Sequence, residues 1–254
     1  MTKRKAEENM KKICLLLVLL LVLTVSGCNK NNVKETNTNA DDNKQGTSVN
    51  ENYEIVKETY TSGKIAINYP QIKNLNDENK QKKINELIKA EALKIQDKYK
   101  EELDNIDLSL DYEVMYKGSD IISIRYLGLA MTKSAAYPIN EINTTNIDLN
   151  KEQVLKLSDV VNIDDNFVAA FKEGKYKPYI EGLNLEEAGA LHDALDNFEG
   201  NGLIDEFKQP DVKFYFTDNS LVVSAYAIHA MGDHFEMGLQ FGDLGDTLLI
   251  KPKK

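Results

Sequence analysis

Tryptophan is absent, histidine occurs only three times, proline five times and cysteine twice, at Cys14 and Cys28. The scarcity of cysteine excludes the most. Cys14 lies in an N-terminal apolar run, so the rest of the chain holds one thiol. That rules out an internal disulfide and any cysteine-rich zinc site there. Long apolar runs are also missing. The longest, Ile13 to Leu23, has eleven residues, all Leu, Val or Ile except Cys14, whereas a membrane-spanning helix needs about 20. No Gly-x-Ser-x-Gly elbow, phosphate loop or dinucleotide fingerprint appears.

What surrounds the apolar run gives it a meaning. Lys3, Arg4, Lys5, Lys11 and Lys12 outweigh Glu7 and Glu8 before it, and such charge holds that end in the cytoplasm. After it, Val25-Ser26-Gly27-Cys28 resembles a lipobox, with Val where Leu is more usual. The resemblance implies a signal peptide over residues 1–27, cleaved just before Cys28, whose sulfur then carries diacylglycerol. The expected location is extracytoplasmic, lipid-anchored to the outer face of the cell membrane. An uncleaved anchor with an incidental Cys28 is the alternative. Residues 28–52 are rich in Asn, Lys, Thr, Asp and Ser and nearly devoid of apolar side chains. Such a segment buries too little surface to offset its ordering entropy, so a disordered tether is expected.

Charge of one sign dominates. The net charge is −10, and removal of residues 1–27, with five basic and two acidic side chains, takes it to −13. So acidic a chain repels nucleic acid and attracts basic partners; solubility alone also accounts for it.

Residues 53–254 alternate between two periods. Ile65, Ile67 and Tyr69 mark a strand expected to stop at Pro70. Ile84, Leu87, Ile88, Ala92, Ile95 and Tyr99 form one stripe of a helix between Asn76 and Leu103, capped by Asn76 or Asp77. Leu108, Leu110, Tyr112, Val114 and Tyr116 alternate with Ser109, Asp111, Glu113 and Met115, and Lys117-Gly118-Ser119-Asp120 turns into a second strand, Ile121 to Met131. A strand over Glu141 to Leu149 follows, then helices over Asp164 to Lys172 and Asn184 to Phe198. Asn184 and Glu187 suggest a capping box, and Gly174 and Gly200 sit where helices end. Val212, Phe214 and Phe216, then Leu221 to Ile228, then Phe235, Met237, Leu239 and Phe241 close the chain in strands. Strand clusters separated by helices imply an α+β fold, mainly antiparallel sheet with packed helices, in one compact domain.

Several short segments resemble a known family. Asn68-Tyr69-Pro70-Gln71-Ile72 with Ile84-Asn85 is similar to the start of the extracellular module of PdaC-type deacetylases. Asn146-Ile147-Asp148-Leu149, Val154-Leu155-Lys156-Leu157-Ser158-Asp159 and Phe214-Tyr215-Phe216-Thr217-Asp218 resemble the downstream half, shared with RsiV-type anti-sigma factors. The likeness, DUF4163/DUF3298-like, spans nearly the whole of residues 53–254, in halves of about 53–140 and 141–254. It implies the α+β fold and, through the RsiV type, a capacity to bind lysozyme. Two segments depart from the family pattern. Ser134-Ala135-Ala136-Tyr137-Pro138 stands where Gly-Gly-Ala-His is common, and Lys151-Glu152 where Thr-Gly is common. Both read as loops, where specificity resides.

Candidates for chemistry are thin. His229 and His234 flank a turn near Asp233 and Glu236, but their spacing matches no metal-binding helix pair. Both are expected in solvent, and His192 on a helix surface or half-buried. Glu186, Glu187, Asp193, Asp196 and Glu199 suit a solvated helix face, although a glycosidase also uses two carboxylates. No catalytic residue, metal or cofactor is assigned. With Lys254 just past the last strand no second domain for chemistry is expected, and with twelve residues before the apolar run no segment that grips a sigma factor is expected.

The sequence therefore points to a cell-surface lipoprotein acting as a non-enzymatic binding module. The expected ligand is a basic lysozyme-like protein or peptidoglycan, with Tyr137 as a candidate contact and nucleic acid excluded. The alternatives are a wall-glycan hydrolase with paired carboxylates, or a sensor or scaffold subunit of a membrane complex.

Overall fold

The computed structural model describes residues 53–196, 198 and 202–253. Cys28, the leader and the tether lie outside the described residues, as do Glu199 and Gly200. The chain first forms a hairpin of β1 (Glu54–Ser62) and β2 (Ile65–Lys73), turning at Gly63, whose φ of +57° is left-handed. No strand was expected over β1, because its residues are exposed or half-buried throughout and carry no apolar alternation.

β2 does not stop at Pro70 but runs on to Lys73. It pairs in parallel with β3 (Ile106–Lys117) only from Ile65 to Ile67. Beyond that point β2 has a strand on one side only, and a proline facing the open side forfeits no ladder bond. Asn85 supplies that side with hydrogen bonds. It sits on helix α1 (Glu78–Leu93), accepts from Ile72 N at 2.8 Å and donates to Ile72 O at 2.9 Å.

Asp77 caps α1, its Oδ1 accepting from Asn79 N at 2.9 Å and Lys80 N at 3.0 Å. Ile84, Ile88 and Ala92 are fully buried, over β2 and β5. Leu87 is only half-buried and lies at the margin of the stripe. The helix is shorter than the sequence suggests. It gives way at Lys94 to a single turn, α2 (Ile95–Lys98), which still buries Ile95.

β3 meets β4 (Ile121–Thr132), β5 (Ile139–Asp148) and the short β6 (Gln153–Val154), completing a six-stranded sheet in sequence order. Every pairing in it except β2 with β3 is antiparallel. Gly128 is obligatory in β4, since a Cβ there would stand 1.8 Å from the Ser109 carbonyl oxygen. Along β4 the strand period sends Ile122, Ile124 and Tyr126 into the core with α1. Ser123 and Arg125 point to the other face, which carries a second sheet.

That sheet has the order β7-β10-β9-β8, all antiparallel, from β7 (Lys175–Lys177), β8 (Phe214–Phe216), β9 (Ser220–Tyr226) and β10 (His234–Gln240). Four short helices accompany it: α3 (Leu157–Val160), α4 (Asp165–Lys172), α5 (Leu191–Asp196) and α6 (Gly202–Phe207). Asp164 caps α4, accepting from Phe167 N at 2.9 Å. Phe171 of α4 packs on Phe207 of α6 and Phe235 of β10, with ring centroids 4.8 and 6.0 Å apart. Each such buried ring contributes about 1.5–3 kcal/mol.

The helix expected over Asn184 to Phe198 is mostly absent. Asn184 Oδ1 does accept from Glu186 N and Glu187 N, at 3.1 and 3.3 Å. The turn then ends at Gly189, whose φ of +69° is incompatible with a right-handed helix, and only α5 forms.

The two sheets are joined by side chains of the first sheet that reach the backbone of β8, Asn146 among them from a segment quoted for the family resemblance. Asn146 Nδ2 donates to Phe214 O at 2.8 Å, and Ser123 Oγ accepts from Phe216 N at 2.9 Å while bonding Asn146. The outer edge of β8 is thereby occupied by the first sheet, which removes an open edge.

Candidate functional site

A groove of about 1190 Å³ opens where the end of α2, residues 135–142, residues 206–213 and the β9–β10 turn meet. The turn is the most specialised part. After Tyr226 the chain makes one 3₁₀ turn, His229–Met231, and swings back through Gly232 and Asp233, with φ of +99° and +72°. A non-glycine residue in that region needs support, and Asp233 has it. Its Oδ2 accepts from Asn140 N at 2.8 Å and Asn140 Nδ2 at 2.9 Å, and its Oδ1 lies 2.9 Å from His229 Nδ1. Burial alone would raise the Asp233 carboxyl. The Asn140 and His229 hydrogen bonds outweigh it and hold the pKa below the usual carboxylate value.

Tyr137 joins the same cluster. It is 66% exposed, and its ring stacks on His229 with centroids 5.5 Å apart. Tyr226, 58% exposed, lies at the end of β9 in the same groove. Deeper in, Glu141 is buried and accepts from Lys98 Nζ at 2.6 Å and from the Tyr99 hydroxyl. Lys213 is half-buried, and desolvation pulls its ammonium pKa down. Glu206 is pushed the other way, up, by burial, partly offset by the hydrogen bond it accepts from Tyr226 N at 2.9 Å.

His234 contradicts the expectation of a solvent histidine. It is 5% exposed and stacks on Tyr179, with centroids 3.9 Å apart. Burial pulls its pKa down to about 4, so the ring is neutral at pH 7. The reason for the misreading is general to β10. Phe235, Met237 and Leu239 face the Phe-rich core, while His234 and Glu236 on the other face meet Asn140 and Arg125 of the first sheet rather than water.

Glu236 is likewise fully buried. Its Oε2 accepts from Arg125 Nη1 at 2.8 Å and Tyr215 OH at 2.7 Å, and Arg125 Nη2 reaches Glu113 at 2.7 Å. Burial pushes the Glu236 carboxyl up even against the Arg125 charge. The cluster ties β4 to β8 and β10 beside the groove. His192 is exposed and pairs with Asp196 at 3.0 Å. Glu186, Glu187 and Asp193 are exposed too, as the sequence implied, and none lines the groove.

The structure thus brings Tyr137, His229, Asp233 and His234 together and leaves Glu236 in a structural cluster. Among the described residues no group of three or more His, Cys, Asp or Glu is placed to hold a metal ion. Asn140, Glu141, Lys98, Tyr179, Lys213 and Tyr226 were not recognisable beforehand, because none belongs to a spaced motif and they converge only through the fold. No helix among the described residues is long and apolar enough to cross a membrane.

No family model matches the chain, and no curated protein does. It is similar to the solved structure of a DUF3298 family protein from Pseudomonas aeruginosa PAO1, at 12% identity and a TM-score of 0.49, over 80% of this chain and 97% of that one. It is also similar to a DUF3298 family member from Bacteroides fragilis NCTC 9343, at 13% identity and a TM-score of 0.49, over 77% and 92%. DUF3298 is one of the two family names that the sequence resemblance carries.

Proposed function

We propose that this chain is a lipid-anchored surface binding module whose groove takes a cell-wall-related ligand, the wall polymer ahead of a lysozyme-like protein. The observation that carries the reading is the groove itself. It is formed by four chain segments, it presents the exposed rings Tyr137 and Tyr226, and it holds polar groups of both signs. Sugars stack their apolar faces on aromatic rings and hydrogen-bond through their rims, so such a lining suits a glycan strand. The anchor at Cys28 supports the same reading by keeping the module at the wall's inner side.

Co-sedimentation of the protein with purified cell-wall sacculi tests this. Saturable retention at micromolar protein is expected, and no retention at low or physiological salt contradicts the polymer. A basic lysozyme is the second ligand to try. Its association rate would fall steeply with salt if the acidic chain steers it.

The hydrolase reading keeps one favourable observation. Glu206 and Asp233 line the same groove with carboxyl groups pushed in opposite directions, the pattern of an acid and base pair. Release of soluble fragments from sacculi by the protein, abolished in Glu206→Gln, would establish it.

A further inference from the structure

His234 is the least explained polar group of the groove. Neither ring nitrogen has a hydrogen bond of good geometry from any described residue, and both are shielded from bulk solvent. The Asn140 backbone supplies one weak hydrogen bond to the ring, which leaves the other nitrogen unserved. A buried polar group without a partner is destabilising and calls for an explanation. Its surroundings suggest one. The imidazole lines the groove, Tyr179 covers one of its faces, and the adjacent Asp233 carries the His229–Tyr137 stack.

Building on the groove reading above, we infer that His234 is the polar anchor of a sugar subsite, hydrogen-bonding a hydroxyl or N-acetyl group of a neutral glycan unit. The chemistry of the ring selects that class. A neutral imidazole offers one N–H donor and one acceptor nitrogen. A hydroxyl, which both donates and accepts, complements either nitrogen. An anion finds only the single N–H. The Asp233 carboxylate next in the chain further disfavours an anionic group there.

Because the nitrogens are shielded, the ligand has to displace a rim side chain on entry. Side-chain rotamer changes at a binding surface are common. Once seated, the sugar satisfies His234 while stacking on the exposed rings of the groove.

Isothermal titration of the protein and of His234→Phe with tetra-N-acetylchitotetraose, beside sacculus co-sedimentation of both, tests the assignment. The protein is expected to bind both probes. His234→Phe is expected to lose at least tenfold in affinity for the oligosaccharide while its thermal midpoint holds or rises, because an unpartnered polar group has been removed. His234→Gln, which keeps a donor and an acceptor, should recover part of the loss and guards against a folding defect in the Phe variant. Equal affinities of the protein and His234→Phe would overturn the assignment and leave the groove reading standing, with a bridging water as the ring's partner. Binding of sacculi without binding of the oligosaccharide would overturn the neutral-sugar class. Failure of the unsubstituted protein with both probes would overturn the groove reading and the assignment together.

Discussion

A neutral histidine held inside the protein makes stability depend on pH. The pKa of His234 is near 4 when folded, against an ordinary value of 6.5, so between these pH values the unfolded chain binds more protons. Stability therefore rises with pH through that window, is complete above about 6.5 and declines as pH falls toward 4. The full span is worth about 3 kcal/mol. Urea titrations at pH 7 and 4.5 should show this loss, and His234→Phe should remove most of it. An unchanged difference in the variant would place the titrating group elsewhere. Arg125 offers a second test. Arg125→Met leaves the Glu236 carboxylate buried without its cation, which costs about 3–5 kcal/mol. Burial already raises the Glu236 pKa, so its ionised form opposes folding as pH rises, and the variant should be hurt more at pH 7 than at pH 4. A pH-independent deficit would mean that lost packing, not charge, dominates.

Elements were legible wherever one face of a strand or helix meets water. β3 and α1 show this, with alternation through Leu108 and Leu110 and a 3.6-residue stripe through Ile84 and Ile88. β1 lacked the signal because it buries almost nothing, and β10 misled because it buries both faces. For the same reason the sequence placed Tyr137, His229 and Asp233 in loops, but not their meeting with Asn140 and Glu141 on the first sheet. Pairing between distant segments leaves no periodic trace in either one. The helical phase itself is testable. Ile88→Ala should cost about 2–5 kcal/mol in urea unfolding, Leu87→Ala should cost less because Leu87 lies at the margin of the stripe, and Lys82→Gln should be nearly silent. Equal losses at Leu87 and Ile88 would mean that α1 is rotated about its axis.

At the scale of the whole molecule, the proposal joins an anchor, a tether and an acidic module whose net charge from Cys28 onward is −13. The anchor is open to direct test: Cys28→Ala should abolish incorporation of labelled fatty acid, and unchanged labelling would refute lipidation at that sulfur. The central claim is that the groove is the binding surface. Dissociation constants for purified sacculi, measured for the protein and for Tyr137→Ala, Tyr226→Ala and Leu249→Ala, address it most directly. Leu249 is the control, exposed but outside the groove. Each tyrosine substitution should weaken binding roughly tenfold, as losing an aromatic anchor at a binding surface does, and Leu249→Ala should leave it unchanged. Equal affinities for all four proteins would contradict the account.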